Sequence, residues 1–196
     1  SNQILFDKIL PLKDSYKFKK ISLTDGVEWK DIFYDKTNNF KNFHLSDKSQ
    51  TLLKSKRISK HETSDYILFD KGNIITTDLI GNLIVFSTTE NTVLRKYNFY
   101  KKKYKKIKKK LNIIIDNSVL YVSDNLGYFY SYDYKEDRVL WAKNFKIPFR
   151  SNLKIFDDKI VAANQNNNLY FLYKKTGEVL KLIPTEENQI KNEFIS

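Results

Sequence analysis

The sequence predicts an all-β protein built from repeated four-stranded antiparallel units, on three observations. One stretch occurs three times without gaps, starting at residues 78, 124 and 164, so the copies are 46 and 40 residues apart. Each copy contains a short aromatic or β-branched run bounded by turn residues, as strands do. A second pair of such runs precedes each copy. Repeats of this period in units rich in strand formers are typical of a β-propeller, here an incomplete ring of about three full blades and a partial N-terminal one.

The N-terminal part, residues 1–64, does not repeat cleanly. Strands are predicted at Ile4–Lys8 and Val27–Tyr34, with Thr24–Gly26 as a turn between them. A lone strand at Leu52–Ile58 resembles the outer strand that seals a closed propeller. We therefore expect one partial propeller domain over residues 1–196, with an N-terminal segment and sealing strand followed by blades at 65–110, 111–152 and 153–196.

Each blade is predicted to contain four strands joined by short hairpins. In the three blades in turn, the first strand begins at Ile67 and Phe69, at Ile113 and Ile115, and at Leu153 and Ile155, and the second strand covers Ile74–Thr77, Leu120–Ser123 and Ile160–Ala163. The third strand covers Leu83–Ser87, Phe129–Asp133 and Leu169–Tyr173. The fourth strand contains Val93-Leu94, Val139-Leu140 and Val179-Leu180.

Two turn columns align across the copies. Gly81, Gly127 and Asn167 share the first, and Asn91, Asp137 and Gly177 share the second. Glycine, asparagine and aspartate are the residues that best tolerate a positive φ, which a tight hairpin requires. The similarity at these columns is therefore explained by turn geometry.

The second copy carries the most complete repeat pattern, and its residues are Asp124, Gly127, Phe129, Tyr132, Val139, Leu140 and Trp141. This pattern resembles the blade repeat of quinoprotein-type (PQQ-like) β-propellers, over roughly Thr51–Glu186. Thr176–Leu180 repeats it with Lys181 in place of the tryptophan, and the first copy has Asn91 for the glycine and Arg95 for the tryptophan. Closed propellers of this family have six to eight blades. We therefore expect this chain to be the N-terminal part of a longer protein, and a small open β array is the alternative.

Within that family, the chain most resembles the BamB-like lipoproteins of the bacterial outer-membrane β-barrel assembly machinery. Trp29, Asn38-Asn39 and the Leu52–Ile58 segment add to the likeness. The resemblance implies a non-catalytic interaction propeller that assists the assembly of outer-membrane β-barrel proteins. It also implies a periplasmic, outer-membrane-associated location, barrel-assembly subunits as partners, and a lipid anchor not present in this chain. No signal peptide is visible, and a start at Ser1 without Met suggests processing or truncation.

The formal net charge is +12. The densest basic run falls in the connection between the first two blades, which is six residues longer than the next one. Its lysines are Lys101, Lys102, Lys103, Lys105, Lys106, Lys108, Lys109 and Lys110. Such a run favours contact with phosphate groups of nucleic acid or anionic lipid, or it is a solvated loop enriched in lysine by codon bias. Tyr104 and Ile107 interrupt the run at an interval of three and are predicted to anchor it.

Residues with catalytic potential are sparse. There is no cysteine, and the two histidines, His44 and His61, lie apart in the irregular N-terminal part. Aspartates cluster at strand ends and turns, where they bond backbone amides. We therefore predict no catalytic residue, cofactor or metal. A quinoprotein dehydrogenase is the enzymatic alternative, with pyrroloquinoline quinone, calcium and the adjacent cysteine pair that the resemblance implies. Nucleic-acid binding is disfavoured because no aromatic platform is evident.

Overall fold

The computed structural model describes residues 28–35, 51 and 53–185. Within these residues, twelve strands form three four-stranded antiparallel sheets in the orders β1-β2-β3-β4, β5-β6-β7-β8 and β9-β10-β11-β12, which we call blades 1, 2 and 3. The strands are β1 (Leu68–Asp70), β2 (Asn73–Thr77), β3 (Asn82–Ser87), β4 (Thr92–Asn98), β5 (Leu111–Asp116), β6 (Val119–Asp124), β7 (Tyr128–Asp133), β8 (Arg138–Asn144), β9 (Lys154–Phe156), β10 (Lys159–Ala163), β11 (Asn168–Tyr173) and β12 (Val179–Pro184). The predicted all-β class, with four-stranded antiparallel blades, is confirmed.

The register irregularity between the third and fourth strands recurs in every blade. It falls between Val85 and Phe86, between Ser131 and Tyr132, and between Phe171 and Leu172. These pairs lie in the same column of the repeat. A bulge of this kind bends and twists the strand that contains it, so each outer strand bends at the same point of the repeat while its pairing continues on both sides.

The blades stack through two apolar cores. On blade 1, Leu68, Ile75, Leu83 and Val85 face the first core, and the residues that meet them from blade 2 include Ile113, Ile115, Leu120, Val122, Tyr130 and Tyr132. The opposite face of blade 2 meets blade 3 through Ile114, Tyr121, Phe129, Trp141, Phe149, Leu153, Ile160, Ala162 and Leu172. Blade 2 thus buries both faces, because successive strand residues point to opposite sides of the sheet.

Both turn columns have left-handed backbone conformations. The φ angles are 88° at Gly81, 87° at Gly127, 59° at Asn167, 51° at Asn91, 53° at Asp137 and 69° at Gly177. An aspartate or asparagine holds the first turn in each blade. The Oδ1 atoms of Asp78, Asp124 and Asn164 each accept the backbone N–H groups two and four residues later, at 2.8 to 3.2 Å.

The predicted N-terminal strands are wrong where the structure describes them. Residues 28–35 make two isolated bridges, Trp29 to Phe69 and Asp31 to Tyr34, and the second of these encloses a turn. The Asp31 carboxylate accepts the Phe33 N–H at 2.9 Å, which turns the chain and ends the pairing after one residue. Ile4–Lys8 and Thr24–Gly26 lie outside the described residues.

The predicted sealing strand, Leu52–Ile58, is described from residue 53 onward. Residues 53–58 contain no strand. The Arg57 guanidinium instead donates to the carbonyls of Ser59 and Lys60, at 2.6 and 2.8 Å. Residues 54–57 are exposed, so this segment lacks the buried side-chain face that fixes a strand against a sheet.

Across the ranges that the structure describes, no helix has both the length and the apolar character needed to cross a membrane.

Candidate functional site

The connection between β4 and β5 contains the basic run and is anchored to both of its blades. The Lys109 N–H donates to the Leu79 carbonyl at 2.8 Å. The Lys110 N–H donates to Asn125 Oδ1 at 2.9 Å, and Asn125 Nδ2 donates to the Lys108 carbonyl at 3.1 Å. The connection is therefore tied to the first turn of blade 1 and the first turn of blade 2.

A short 3-10 turn, Lys102–Tyr104, begins the basic run. The hydroxyls of Tyr104 and Tyr128 lie 2.9 Å apart within a hydrogen bond, so Tyr104 anchors the loop on β7. Ile107, expected to be a second anchor, is 43% exposed. It leaves an apolar side chain at the surface among lysines.

Lys109 is the buried member of the run, with only 2% of its surface exposed. Its Nζ donates to the Tyr104 carbonyl at 2.5 Å and lies 5.4 Å from the centre of the Tyr100 ring. Burial lowers the pKa of Lys109, because the charged form loses hydration. Nothing in the sequence distinguishes this lysine, which folds inward, from the other seven.

These residues border a cleft of about 500 Å³, which we call the basic cleft. Its described lining residues are His61, Ile80, Asn98, Tyr100, Lys101, Lys102, Lys105 and Lys109, so among them are four lysines and no carboxylate. Of the eight lysines in the predicted basic run, the structure brings these four together at the cleft. The other four, Lys103, Lys106, Lys108 and Lys110, lie elsewhere on the same connection between β4 and β5 and are exposed. His61 joins them from a segment distant in sequence, whereas His44 lies outside the described residues.

Tyr100 forms the floor of this region. Its hydroxyl donates to Asp124 Oδ2 at 2.5 Å. A Cβ atom added at Gly81 would lie 2.5 Å from the Tyr100 ring, so the first-turn glycine also provides room for this side chain. Burial raises the pKa of Asp124, and the bonds from Tyr100 and the backbone amides oppose that rise.

Trp141 joins blades 2 and 3. Its Nε1 donates to the Lys174 carbonyl at 2.9 Å, and its ring packs on Gly177 so closely that a Cβ there would lie 2.5 Å from it. Arg95 occupies the equivalent position in blade 1. Its Nε lies 3.8 Å from Asp137 Oδ2, and Asp137 is the residue equivalent to Gly177. An ion pair thus replaces the tryptophan-on-glycine contact between blades 1 and 2.

Blade 3 has a second face, turned away from blade 2, which we call the far face. Cross-strand partners share a face, so the register places the following apolar residues on it: Phe156, Val161, Leu169, Phe171 and Ile183. Phe156 is 63% exposed and the others are half-buried. The equivalents of Leu169 and Phe171 in blade 1, Leu83 and Val85, are fully buried against blade 2.

A smaller cleft of about 290 Å³, which we call the inner cleft, lies beside the first strands of blades 2 and 3, where residues 28–35 cross them. The Ile115 N–H donates to the Lys30 carbonyl at 3.2 Å. Lys154 Nζ lies 2.6 Å from Asp31, and Lys174 Nζ lies 2.5 Å from Asp116. Two of its carboxylates are thus paired with ammonium groups. In the described part of the chain, no three His, Cys, Asp or Glu residues group as metal ligands would.

No family model matches the sequence, and no curated protein matches it. Solved structures do match, and they define the class: β-propeller blades. BamB from Moraxella catarrhalis is 14% identical with a TM-score of 0.51, over 61% of this chain and 34% of that chain. A quinohemoprotein alcohol dehydrogenase from Comamonas testosteroni is 11% identical with a TM-score of 0.63, over 80% and 27% respectively. The computationally designed Ika4 protein is 11% identical with a TM-score of 0.59, over 71% and 82%.

The chain spans about a third of the length of BamB and about a quarter of that of the dehydrogenase. At these identities the similarity shows the fold. The resemblance to PQQ-type propellers, including BamB, is confirmed at that level.

Proposed function

We propose that this protein is a non-catalytic scaffold whose propeller blades bind protein partners, in the assembly of outer-membrane β-barrel proteins. The observation that carries the proposal is the far face of blade 3, which has the apolar pattern of an inter-blade surface. Contiguous exposed apolar surface on a soluble domain marks sites of protein interaction.

The inter-blade contacts define what such a partner presents. Blade 1 buries Leu83 and Val85 against an apolar sheet face of blade 2. Beside them, Arg95 pairs with Asp137. Lys181 of the far face is the equivalent of Arg95 and is exposed. The occupant we infer is therefore a protein with an apolar sheet or strand and an acidic residue opposite Lys181.

The outer strand of blade 3 adds a second means of contact. β12 ends the sheet order of blade 3, and Val179, Leu180 and Leu182 on it are exposed. An exposed edge strand can receive a partner strand through main-chain hydrogen bonds. The structural similarity to BamB supports barrel-assembly subunits as partners, in the periplasm at the outer membrane.

Site-specific photo-cross-linking tests the proposal. A photoreactive phenylalanine analogue is placed at Phe156 on the far face, and in a matched variant at Tyr66, which is 50% exposed before blade 1. In native membranes, position 156 should cross-link to barrel-assembly subunits and position 66 should not. Equal cross-linking from both positions, or none from position 156, would contradict the proposal. Both sites are exposed, so neither change should alter stability by more than about 0.5 kcal/mol.

The likeness to a quinohemoprotein alcohol dehydrogenase favours a second candidate, a quinoprotein dehydrogenase. The residues present do not fit its cofactor and calcium. In the inner cleft, Asp31 and Asp116 are paired with lysines at 2.6 and 2.5 Å, and the chain has no cysteine pair. We expect added pyrroloquinoline quinone and calcium to give no cofactor absorbance bound to the protein and no thermal shift. A clear shift in both would favour the enzyme.

A further inference from the structure

We propose that the basic cleft binds the phosphate group of an anionic phospholipid, and that the exposed Ile107 enters the head-group region beside it. This surface lies over the junction of blades 1 and 2 and is separate from the far face of blade 3. The proposal does not depend on the scaffold function.

The exposed lysines of the cleft, Lys101, Lys102 and Lys105, make no ion pair in the described part of the chain, whereas the buried Lys109 is attracted by the Asp78 carboxylate. Among the described residues, no ion pair includes any lysine of the 101–110 run. The part of the cleft lining that the structure describes contains no aspartate or glutamate. Three exposed ammonium groups, those of Lys101, Lys102 and Lys105, lie around one concave surface and raise the local concentration of anions, so an external anion is the partner that this electrostatic arrangement favours.

The loop that presents these lysines is fixed before any ligand binds. Hydrogen bonds hold it at Tyr104, Lys108, Lys109 and Lys110, and they reach both blade 1 and blade 2. Lys109 fills the base of the loop, bonded to the Tyr104 carbonyl. A preorganised site loses less conformational freedom on binding than a flexible loop does. This anchoring argues against a freely solvated lysine run.

The neighbouring side chains favour a lipid surface over nucleic acid. Stacking on nucleobases requires exposed aromatic faces. Tyr100 is bonded to Asp124 and packed on Gly81, while the Tyr104 ring lies against Tyr128 with centroids 5.9 Å apart. Ile107, in contrast, presents an exposed apolar side chain among lysines, the combination by which peripheral segments bind anionic membranes.

Vesicle binding by the full chain tests this inference. The probes are vesicles of phosphatidylcholine with and without phosphatidylglycerol. The cleft variant is Lys102→Gln with Lys105→Gln, and its matched control is Lys135→Gln with Lys175→Gln, two exposed lysines on the outer turns of blades 2 and 3. Both variants lose the same formal charge.

At about 1 kcal/mol per lysine near an anionic surface, the cleft variant should bind phosphatidylglycerol vesicles about 30-fold more weakly than the wild type. The control should stay within about threefold of the wild type, because its lysines lie at the opposite strand ends from the first turns to which the basic run is tied. Equal losses in the two variants, or no preference for phosphatidylglycerol, would overturn the proposal. Matching circular dichroism spectra and urea midpoints would show that both variants are folded.

Two further measurements separate the sources of phosphate. Ile107→Ser should weaken vesicle binding while leaving binding of soluble glycerophosphoglycerol unchanged. If the soluble compound binds as tightly as the vesicles and Ile107→Ser has no effect, the site takes free phosphate compounds and the lipid proposal is wrong. Single-stranded DNA that binds more tightly than the vesicles and depends on Lys102 and Lys105 would equally refute it.

Discussion

The contact between Trp141 and Gly177 should be the strongest side-chain link between blades 2 and 3. Trp141 is 8% exposed, and its ring contacts Phe129 and Tyr121 with centroids 5.8 and 6.3 Å away. Trp141→Ala removes these contacts and the hydrogen bond to the Lys174 carbonyl. Large-to-small changes of this kind cost about 3–5 kcal/mol. Since the stability of a domain is about 5–15 kcal/mol, the variant should be severely destabilised.

A double-mutant cycle with Gly177 isolates the contact. Gly177 has a φ of 69°, and an added Cβ would lie 2.5 Å from the Trp141 ring. Gly177→Ala should therefore cost about 1–2 kcal/mol for the left-handed backbone and about 1–3 kcal/mol more for overpacking. With Trp141 already replaced by Ala, only the backbone part remains. The coupling free energy should then be about 1–3 kcal/mol.

Urea unfolding of the full chain, monitored by circular dichroism, measures the free energy of unfolding of the wild type, the two single variants and the double variant. Leu140→Ala is the control for the strand, because the neighbouring Leu140 is exposed; it should change the free energy of unfolding by less than about 1 kcal/mol. A cost below about 1 kcal/mol for Trp141→Ala, or an equal cost of Gly177→Ala in both backgrounds, would refute the predicted link.

Two further predictions concern buried charges. Asn164 holds its turn with the same Oδ1 bonds that Asp124 makes, but Asp124→Asn would put an N–H donor where Oδ2 accepts the Tyr100 hydroxyl. Asp124→Asn should therefore cost less than Asp124→Ala, which should cost about 1–3 kcal/mol by urea unfolding, and equal costs would show that the Oδ1 bonds do not stabilise the turn. Burial lowers the pKa of Lys109 below its ordinary 10.5, so between the two pKa values the unfolded chain holds more protons and folding becomes more favourable as pH rises. The unfolding free energy of the wild type minus that of Lys109→Met should consequently increase as pH approaches 10.5, and a flat difference would show that Lys109 is hydrated.

The repeat columns were readable from sequence because strand and turn chemistry is local. Short aromatic or β-branched runs bounded by turn residues placed the third strands near Leu83, Phe129 and Leu169, within a residue of their observed starts. The second turn column, with Asn91 in blade 1, required a positive φ that few residue types tolerate. The N-terminal segment has neither repeated strand runs nor a repeated turn column. It forms no strand over the described residues of Val27–Tyr34 and Leu52–Ile58.

The candidate site could be predicted only in part. Composition identified the basic run and alignment placed it between blades 1 and 2. Lys109 is the lysine that folds inward because its ammonium group donates to the Tyr104 carbonyl, a contact that exists only in the folded loop. His61 lines the same cleft although it is distant in sequence. The exposure of Ile107 likewise follows from how the loop is anchored.

The individual blade is specified locally, because a strand period of two and turns with positive φ are set by neighbouring residues. How the blades meet is visible only in the folded chain: Trp141 lies on Gly177 at one junction, and Arg95 lies beside Asp137 at the other. The partial exposure of the far face of blade 3 is likewise visible only in the folded chain. Packing between sheets depends on side chains that are distant in sequence, and no local pattern records which of them come together.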